Sequence, residues 1–146
     1  MASSSRTTPN DIGILVLRIV VGVVMMYYGS QKLLGVFGGA GFQGTLEGFQ
    51  RGLGIPPFLG AAAIVAEFFG GLGLVVGLLT RVAAFGVAVT MGVAASTKVA
   101  SLNLYDRATV SDFAFPLVLG TVCLAVLVQG AGSISLDSKL FGKRRR

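Results

Sequence analysis

The sequence contains no histidine, no tryptophan and only one cysteine. The chain alone therefore cannot build a histidine-ligated metal or haem site, a histidine-based catalytic triad, a zinc site or an internal disulfide. Charged residues are also scarce: they make up 12% of the chain, about half of the roughly 25% that is usual in globular proteins. We expect no catalytic residue, no metal site and no cofactor bound by this chain alone.

The chain is rich in apolar residues and in glycine. Of the 146 residues, 53% are hydrophobic and 22 are glycine, and the mean hydropathy is +0.82. This composition excludes a disordered chain, a disulfide scaffold and a nucleic-acid module, and it indicates an integral membrane protein. The net charge of +6 does not indicate a nucleic-acid partner, because the basic residues flank apolar segments, where lipid head groups and membrane topology account for them.

Four apolar stretches predict four transmembrane helices. They cover about residues 12–34, 58–79, 82–101 and 113–130, and a helix needs about 20 residues to cross the hydrocarbon core. We predict an all-α fold in which a four-helix transmembrane bundle, residues 12–130, lies between a polar tail of residues 1–11 and a basic tail of residues 131–146. A soluble bundle of unusually apolar helices is the less favoured alternative.

The glycine-rich connector between the first two stretches predicts a short amphipathic helix. Thr45 is a candidate N-cap. Leu46, Phe49 and Leu53 recur at helical spacing and form an apolar stripe, while charged and amide side chains form the other face. We expect this helix to rest on the outer membrane surface or to cap the bundle.

The distribution of lysine and arginine predicts the orientation of the bundle. The side that carries both tails and the short turn predicted at Thr80 and Arg81 holds seven basic residues, and the other side holds four. Because basic residues accumulate on the cytoplasmic side, both termini should be cytoplasmic. The terminal cluster of Lys143, Arg144, Arg145 and Arg146 should contact anionic lipid or an acidic partner.

Two ionisable residues, Arg18 and Glu67, lie at membrane depth in the predicted helices. Each would cost several kcal/mol if it were unpaired in hydrocarbon, so both should face the bundle interior. At about 1.5 Å per residue their depths differ by about 9 Å, which two long side chains can nearly span. We predict that Glu67 pairs chiefly with Arg18 as a structural ion pair. The alternative is a polar lining for a quinone head group or a proton path.

Tyr27, Gln31 and Lys32 cluster at the outer end of the first helix. Tyrosine at this position is typical of the aromatic belt at a membrane interface. The alternative is that Tyr27 or Gln31 joins Glu67 in a polar pocket that opens outwards. Helical spacing supports the alternative, because Arg18, Gln31 and Lys32 fall broadly on one side of the helix.

Small residues recur at four-residue spacing in the second and third stretches. Such faces let helix backbones approach closely. The residues are Gly73 and Gly77 in the second stretch and Ala84, Ala88 and Gly92 in the third. We predict that they pack these helices within the bundle, and docking to another subunit is the alternative.

Several ordered motifs of this sequence resemble the DoxX family of membrane proteins. The run LRIVVGVVMMYYGSQKLLGVFGGAGFQGT contains L-R-x-x-x-G, G-x-Q-K-L and F-G-G-x-G elements. G-I-P-P, E-x-x-G-G-L-x-L-x-x-G-L-L-T-R and S-I-S-L-D follow in order, so the resemblance spans about residues 14–137. It implies four transmembrane helices and matching polar positions, which are Arg18, Gln31, Lys32, Glu67 and Arg81.

The resemblance also bears on function, because some members of the family are linked to oxidoreductases, including a thiosulfate:quinone oxidoreductase subunit. Many relatives carry histidine near the end of the third helix and a Glu-Tyr-Pro-like start to the fourth. Here the third helix ends in STKVAS, and the fourth begins at Phe113-Ala-Phe-Pro116. This difference weighs against a redox activity of the chain itself.

The function that we favour is a non-catalytic accessory subunit of a larger redox or energy-converting complex in the bacterial inner membrane. Its partners would be membrane lipids and other membrane subunits, with no nucleic acid. The alternative is the membrane subunit of a quinone-linked oxidoreductase with a polar intramembrane pocket, for which quinone is the implied cofactor. A small transporter or lipid-handling protein is a third hypothesis.

Overall fold

The computed structural model describes residues 7–99 and 102–141, and it is all-α over these residues. The helices are α1 (Pro9–Leu34), α2 (Gly41–Leu53), α3 (Pro57–Val76), α4 (Thr80–Val99), α5 (Arg107–Gln129) and α6 (Leu136–Leu140). Of these, α1, α3, α4 and α5 are long and apolar enough to cross a membrane. The predicted all-α membrane fold is confirmed, with α2 as the short helix between the first two spans.

Local signals explain why two spans begin earlier than predicted. Pro9 is the first helical residue of α1, and Thr8 and Asp11 form a capping box that satisfies free N–H groups of the first turn. Asp106 caps α5 by accepting a hydrogen bond from the Ala108 N–H at 3.0 Å. The polar residues 9–11 and 107–112 therefore extend the helices instead of forming a tail and a connector.

The turn between α3 and α4 lies three residues earlier than predicted. Gly77 adopts a left-handed conformation with φ of 70°, and its N–H donates to the Gly73 carbonyl at 2.8 Å. This glycine C-cap ends α3 at Val76. Thr80 and Arg81, predicted as the turn, are the first residues of α4.

The bundle is closed by extensive contacts of α1 with α3, of α3 with α4 and of α4 with α5, and by a smaller contact of α1 with α5. The core side chains come from all four spans, and they are Val21, Met25, Leu74, Ala84, Val87, Met91, Leu119, Cys123 and Val126. Large apolar side chains such as Phe58, Val82 and Phe85 are exposed. Exposed apolar surface of this extent is expected of helices whose outer faces contact lipid.

Glycine sets the distance between α1 and α3. A Cβ atom at Gly22 would lie 2.7 Å from the Gly71 carbonyl oxygen, and one at Gly29 would lie 2.6 Å from the Phe68 nitrogen. Real Cβ atoms essentially never come this close, so the two backbones meet because these positions have no side chain. Gly22 and Gly29 are seven residues apart, so they fall outside the four-residue spacing that predicted the small packing faces.

The five small residues that were predicted to pack do so unequally. Ala84 is fully buried in the core, Ala88 packs beside the core, and a Cβ at Gly73 would lie 3.1 Å from the Ala83 Cβ. For two of the five the prediction was wrong. Gly77 caps α3, and Gly92 has open space where its side chain would be.

Candidate functional site

The two charged residues predicted to pair, Arg18 and Glu67, bind different partners near opposite ends of the α1–α3 interface. Arg18 donates to the carbonyl of Leu74, and Glu67 accepts from Lys32. The prediction of an Arg18–Glu67 pair was therefore wrong. The register explains it, because Arg18 stands level with Leu74, seven residues or about 10 Å along α3 from Glu67.

The Lys32–Glu67 ion pair lies at the α2 end of the bundle. The Lys32 Nζ is 2.6 Å from Oε1 and 2.5 Å from Oε2 of Glu67. The Glu67 side chain is only 4% exposed, whereas the Lys32 side chain is 29% exposed. Gly29 lies against Phe68, so Lys32 stands about two residues, or about 3 Å, beyond the level of Glu67, within reach of its flexible stem.

Helix α2 covers this ion pair. The Lys32 Nζ lies 5.9 Å from the centroid of the Phe49 ring, and the Thr45 hydroxyl donates to the Lys32 carbonyl at 3.4 Å. Phe49 and Leu46 also pack over Gly60, at which a Cβ would lie 2.9 Å from the Leu46 Cδ2. A cation beside an aromatic face is stabilised by the ring electrons. The amphipathic helix thus caps the bundle over the ion pair.

Tyr27 and Gln31 are not joined to this ion pair. Tyr27 is 44% exposed, and its ring packs at centroid distances of 5.3 Å from Tyr28 and 5.2 Å from Phe37. Within the described residues the Glu67 carboxylate accepts hydrogen bonds from Lys32 alone. The predicted pocket of Tyr27, Gln31, Lys32 and Glu67 is thus reduced to the Lys32–Glu67 pair beneath α2.

Arg18 lies at the other end of the bundle and is 1% exposed. Its Nε donates to the Leu74 carbonyl at 3.0 Å, and its Nη1 donates to the carbonyls of Ala131 and Ile134. A Cβ atom at Gly77 would overlap the guanidinium group. Three carbonyl acceptors satisfy the buried cation, and these hydrogen bonds connect the segment after α5 to α1 and α3.

The segment of residues 131–141, predicted as part of a basic tail, folds back over this end of the bundle. The Ser133 N–H donates to the Asp11 carboxylate at 2.7 Å, and the Asp137 N–H donates to the Gly77 carbonyl at 2.8 Å. The Asp137 carboxylate accepts from the N–H groups of Leu79 at 2.7 Å and Thr80 at 2.8 Å. Lys143, Arg144, Arg145 and Arg146 lie outside the described residues.

Asp137 is the residue of this end of the bundle that sequence reasoning missed, and its carboxylate binds the α3–α4 turn. Burial acts to raise the pKa of its carboxyl group, but hydrogen bonds from Thr80 and Leu79 and the charge of Arg18 outweigh burial and hold the pKa below its usual value. The signal that could have revealed Asp137 is the S-I-S-L-D motif. This motif supplies both the carbonyl of Ile134 for Arg18 and the carboxylate for the α3–α4 turn.

The chain is similar to one protein family and to two named bacterial proteins. The sequence profile of the family described as DoxX matches residues 13–100. The "Putative oxidoreductase CatD" of Bacillus subtilis (strain 168) is 28% identical over 135 residues, which cover 92% of each chain. The "Inner membrane protein YqjF" of Escherichia coli (strain K12) is 34% identical over 74 residues, which are 51% of this chain and 52% of that protein. No solved structure matches significantly.

Proposed function

Because this chain belongs to the DoxX family, we propose that it is a non-catalytic accessory subunit of a larger redox or energy-converting membrane complex. The observation that carries the proposal is the use of its buried charges. Arg18 is engaged by three backbone carbonyls, and Glu67 is engaged by Lys32. Charges that the fold itself satisfies in this way secure helix packing and the ends of the bundle.

The proposed location is the bacterial inner membrane, with both termini in the cytoplasm. The name of the Escherichia coli relative gives that membrane for that protein. The side that carries both termini has seven lysine and arginine residues in the sequence, Arg81 and Lys139 among them, against four on the other side, and the positive-inside rule assigns the side with seven to the cytoplasm. Helix α2 and the Lys32–Glu67 pair would then lie at the periplasmic side.

Cross-linking in native membranes followed by purification of a tagged chain tests the accessory role. We expect other membrane subunits to co-purify with the wild-type chain. Complex activity in a strain that lacks the chain should return equally with wild-type and with Glu67→Gln chains of equal abundance. Recovery of the native protein as a lone monomer would contradict the proposal.

The second candidate is the membrane subunit of a quinone-linked oxidoreductase, and the partial exposure of Lys32 favours it. The Lys32 ammonium group beside Phe49 could donate a hydrogen bond to a quinone carbonyl, while Glu67 holds the ammonium group in place. A bound quinone would accept electrons from a partner subunit, since this chain has one cysteine and no histidine. The name of the Bacillus subtilis relative agrees with this candidate.

Quinone reduction by the native complex separates the two candidates. A quinone role predicts that Lys32→Met raises the KM for quinone when it is compared with wild type at equal abundance of the complex. An accessory role predicts that the KM is unchanged and that only stability or abundance falls. Lys98→Met is the matched control, because Lys98 forms an exposed pair with Asp112 at 3.5 Å.

A further inference from the structure

A cavity of about 450 Å³ opens at the bundle end that carries Arg18. It lies between the start of α4, the end of α5 and the short helix α6, so it sits where the spans leave the hydrocarbon. Its polar lining includes Thr80, Arg81, Asp137 and Ser138. The proposed function does not use this cavity.

Arg81 supplies the cavity with a cation that has no carboxylate partner within the described residues. Its side chain is exposed, and its Nη2 donates only a long hydrogen bond of 3.4 Å to the Val128 carbonyl. A Cβ atom at Gly130 would lie 3.4 Å from both Nε and Nη2, so the glycine backbone lets the guanidinium group rest against the end of α5. The planar guanidinium fork matches the oxygens of a phosphate group.

The single carboxylate in the cavity lining does not cancel this charge. Both oxygens of Asp137 already accept backbone N–H groups, at 2.7 Å and 2.8 Å, and the nearby charge of Arg18 also acts on this carboxylate. The exposed cation Lys139 lies on α6 next to the cavity. An anion that enters the cavity therefore meets a surplus of positive charge.

Thr80 provides an independent sign that the cavity takes a polar ligand. Its hydroxyl oxygen is buried and has no hydrogen-bond partner within the described residues, although the residue lines the cavity. A buried hydroxyl group without a partner is costly, and most such groups in proteins are satisfied. A phosphate oxygen in the cavity would give the hydroxyl an acceptor.

Apolar side chains at the mouth distinguish an amphiphile from a free ion. Leu79, Val82 and Phe141 line the cavity and are largely exposed. A free phosphate ion would leave these side chains bare, whereas a phospholipid covers them with its glycerol and acyl portions. Basic pockets beside membrane spans are known binding places for anionic lipid head groups.

We propose that this cavity binds the phosphate of an anionic phospholipid head group through Arg81 and the Thr80 hydroxyl. The acyl chains run outward over Leu79, Val82 and Phe141. Bound lipid joins α4, α5 and α6, and thereby reinforces the same end of the bundle that Arg18 and Asp137 close. The proposal is independent of which partner complex the chain serves.

Native mass spectrometry of the full chain in detergent tests the proposal, with phosphatidylglycerol as the anionic probe and phosphatidylcholine as the zwitterionic one. Wild-type protein should retain phosphatidylglycerol preferentially. Arg81→Gln should weaken this binding about tenfold, because it removes the positive charge and the guanidinium fork, and Thr80→Val should weaken it about fivefold, because it removes the hydroxyl donor. The melting temperature of Thr80→Val without lipid should be unchanged or higher, so a loss of lipid binding in this variant is not a loss of fold.

Arg51→Gln is the matched control, because Arg51 is an exposed arginine on α2 at the other end of the bundle. An equal loss in Arg51→Gln would mean unspecific attraction and would overturn the proposal. Loss of phosphatidylglycerol binding in Arg81→Gln but not in Thr80→Val would place the phosphate on the open surface and would overturn its assignment to the cavity. Displacement of phosphatidylglycerol by inorganic phosphate would identify the free ion as the ligand and overturn the lipid assignment.

Discussion

At the scale of single residues, the two members of the Lys32–Glu67 pair are buried to different degrees. The Lys32 side chain is 29% exposed and can turn its ammonium group towards water, whereas the Glu67 side chain is 4% exposed. Removal of one partner from a buried pair is costly chiefly because the other charge is left without compensation. Substitution of Lys32 and substitution of Glu67 should therefore lower the free energy of unfolding by different amounts.

We predict that Lys32→Met lowers the free energy of unfolding by about 3 kcal/mol and that Glu67→Gln lowers it by about 1 kcal/mol. Denaturant unfolding in detergent micelles measures both values. Lys98→Met removes an exposed partner of Asp112 and should cost less than about 1 kcal/mol. Equal costs for the two members of the buried pair would show that water reaches Glu67 as readily as Lys32.

At the scale of the helices, glycine rather than charge sets how α1 meets α3. The backbone approach at Gly22 and Gly29 places Arg18 beside Leu74 and Lys32 beside Glu67. The lengths of the apolar runs predict that four spans exist, because length and hydropathy are local properties of the sequence. They do not predict the register of two spans, because register depends on which surfaces fit together in three dimensions. The choice of partner for Glu67 was wrong for this reason.

Gly29→Ala tests the importance of this helix contact. The new Cβ would lie 2.6 Å from the Phe68 nitrogen, so the helices must separate, and we expect a loss of about 2–4 kcal/mol in unfolding free energy. Gly92→Ala is the matched control, because Gly92 lies in α4 with open space at its side-chain position. It should be neutral or stabilise by up to about 1 kcal/mol. A stable Gly29→Ala protein with unchanged helix packing would contradict the interpretation.

The short helix α6 should respond to pH through Asp137. Its carboxyl pKa is lower in the folded protein than the value of about 3.9 in an unfolded chain. The stability that this carboxylate contributes is therefore present above that unfolded value and is lost as the pH falls through the folded value. Amide hydrogen exchange at Leu79 and Thr80 should accelerate, beyond the intrinsic pH effect, as the pH falls below about 4 in the wild type. Asp137→Asn should already accelerate amide exchange at Leu79 and Thr80 at neutral pH, and the additional acceleration below about pH 4 should disappear.

At the scale of the whole molecule, the ends of the bundle were the hardest part to predict. The segment of residues 131–141 has too little apolar character to be read as anything but a tail, and its place depends on partners distant in sequence. Asp11 holds Ser133, Arg18 holds Ile134, and the α3–α4 turn holds Asp137. These bonds join the beginning and the end of the described chain at one end of the bundle. Both therefore lie on the same side of the membrane, whichever side that is.

Cysteine labelling in intact cells tests the orientation. In a Cys123→Ala background, Gln50→Cys places a thiol on the exposed face of α2, and Lys139→Cys places one on α6. The positive-inside rule predicts that a membrane-impermeant maleimide reaches residue 50 from outside the inner membrane and reaches residue 139 only after the membrane is opened. The reverse pattern would put the Arg81 cavity on the outer side and the Lys32–Glu67 pair on the cytoplasmic side. Both sites would then keep their chemistry, but any partner subunit would have to meet them from the opposite side of the membrane.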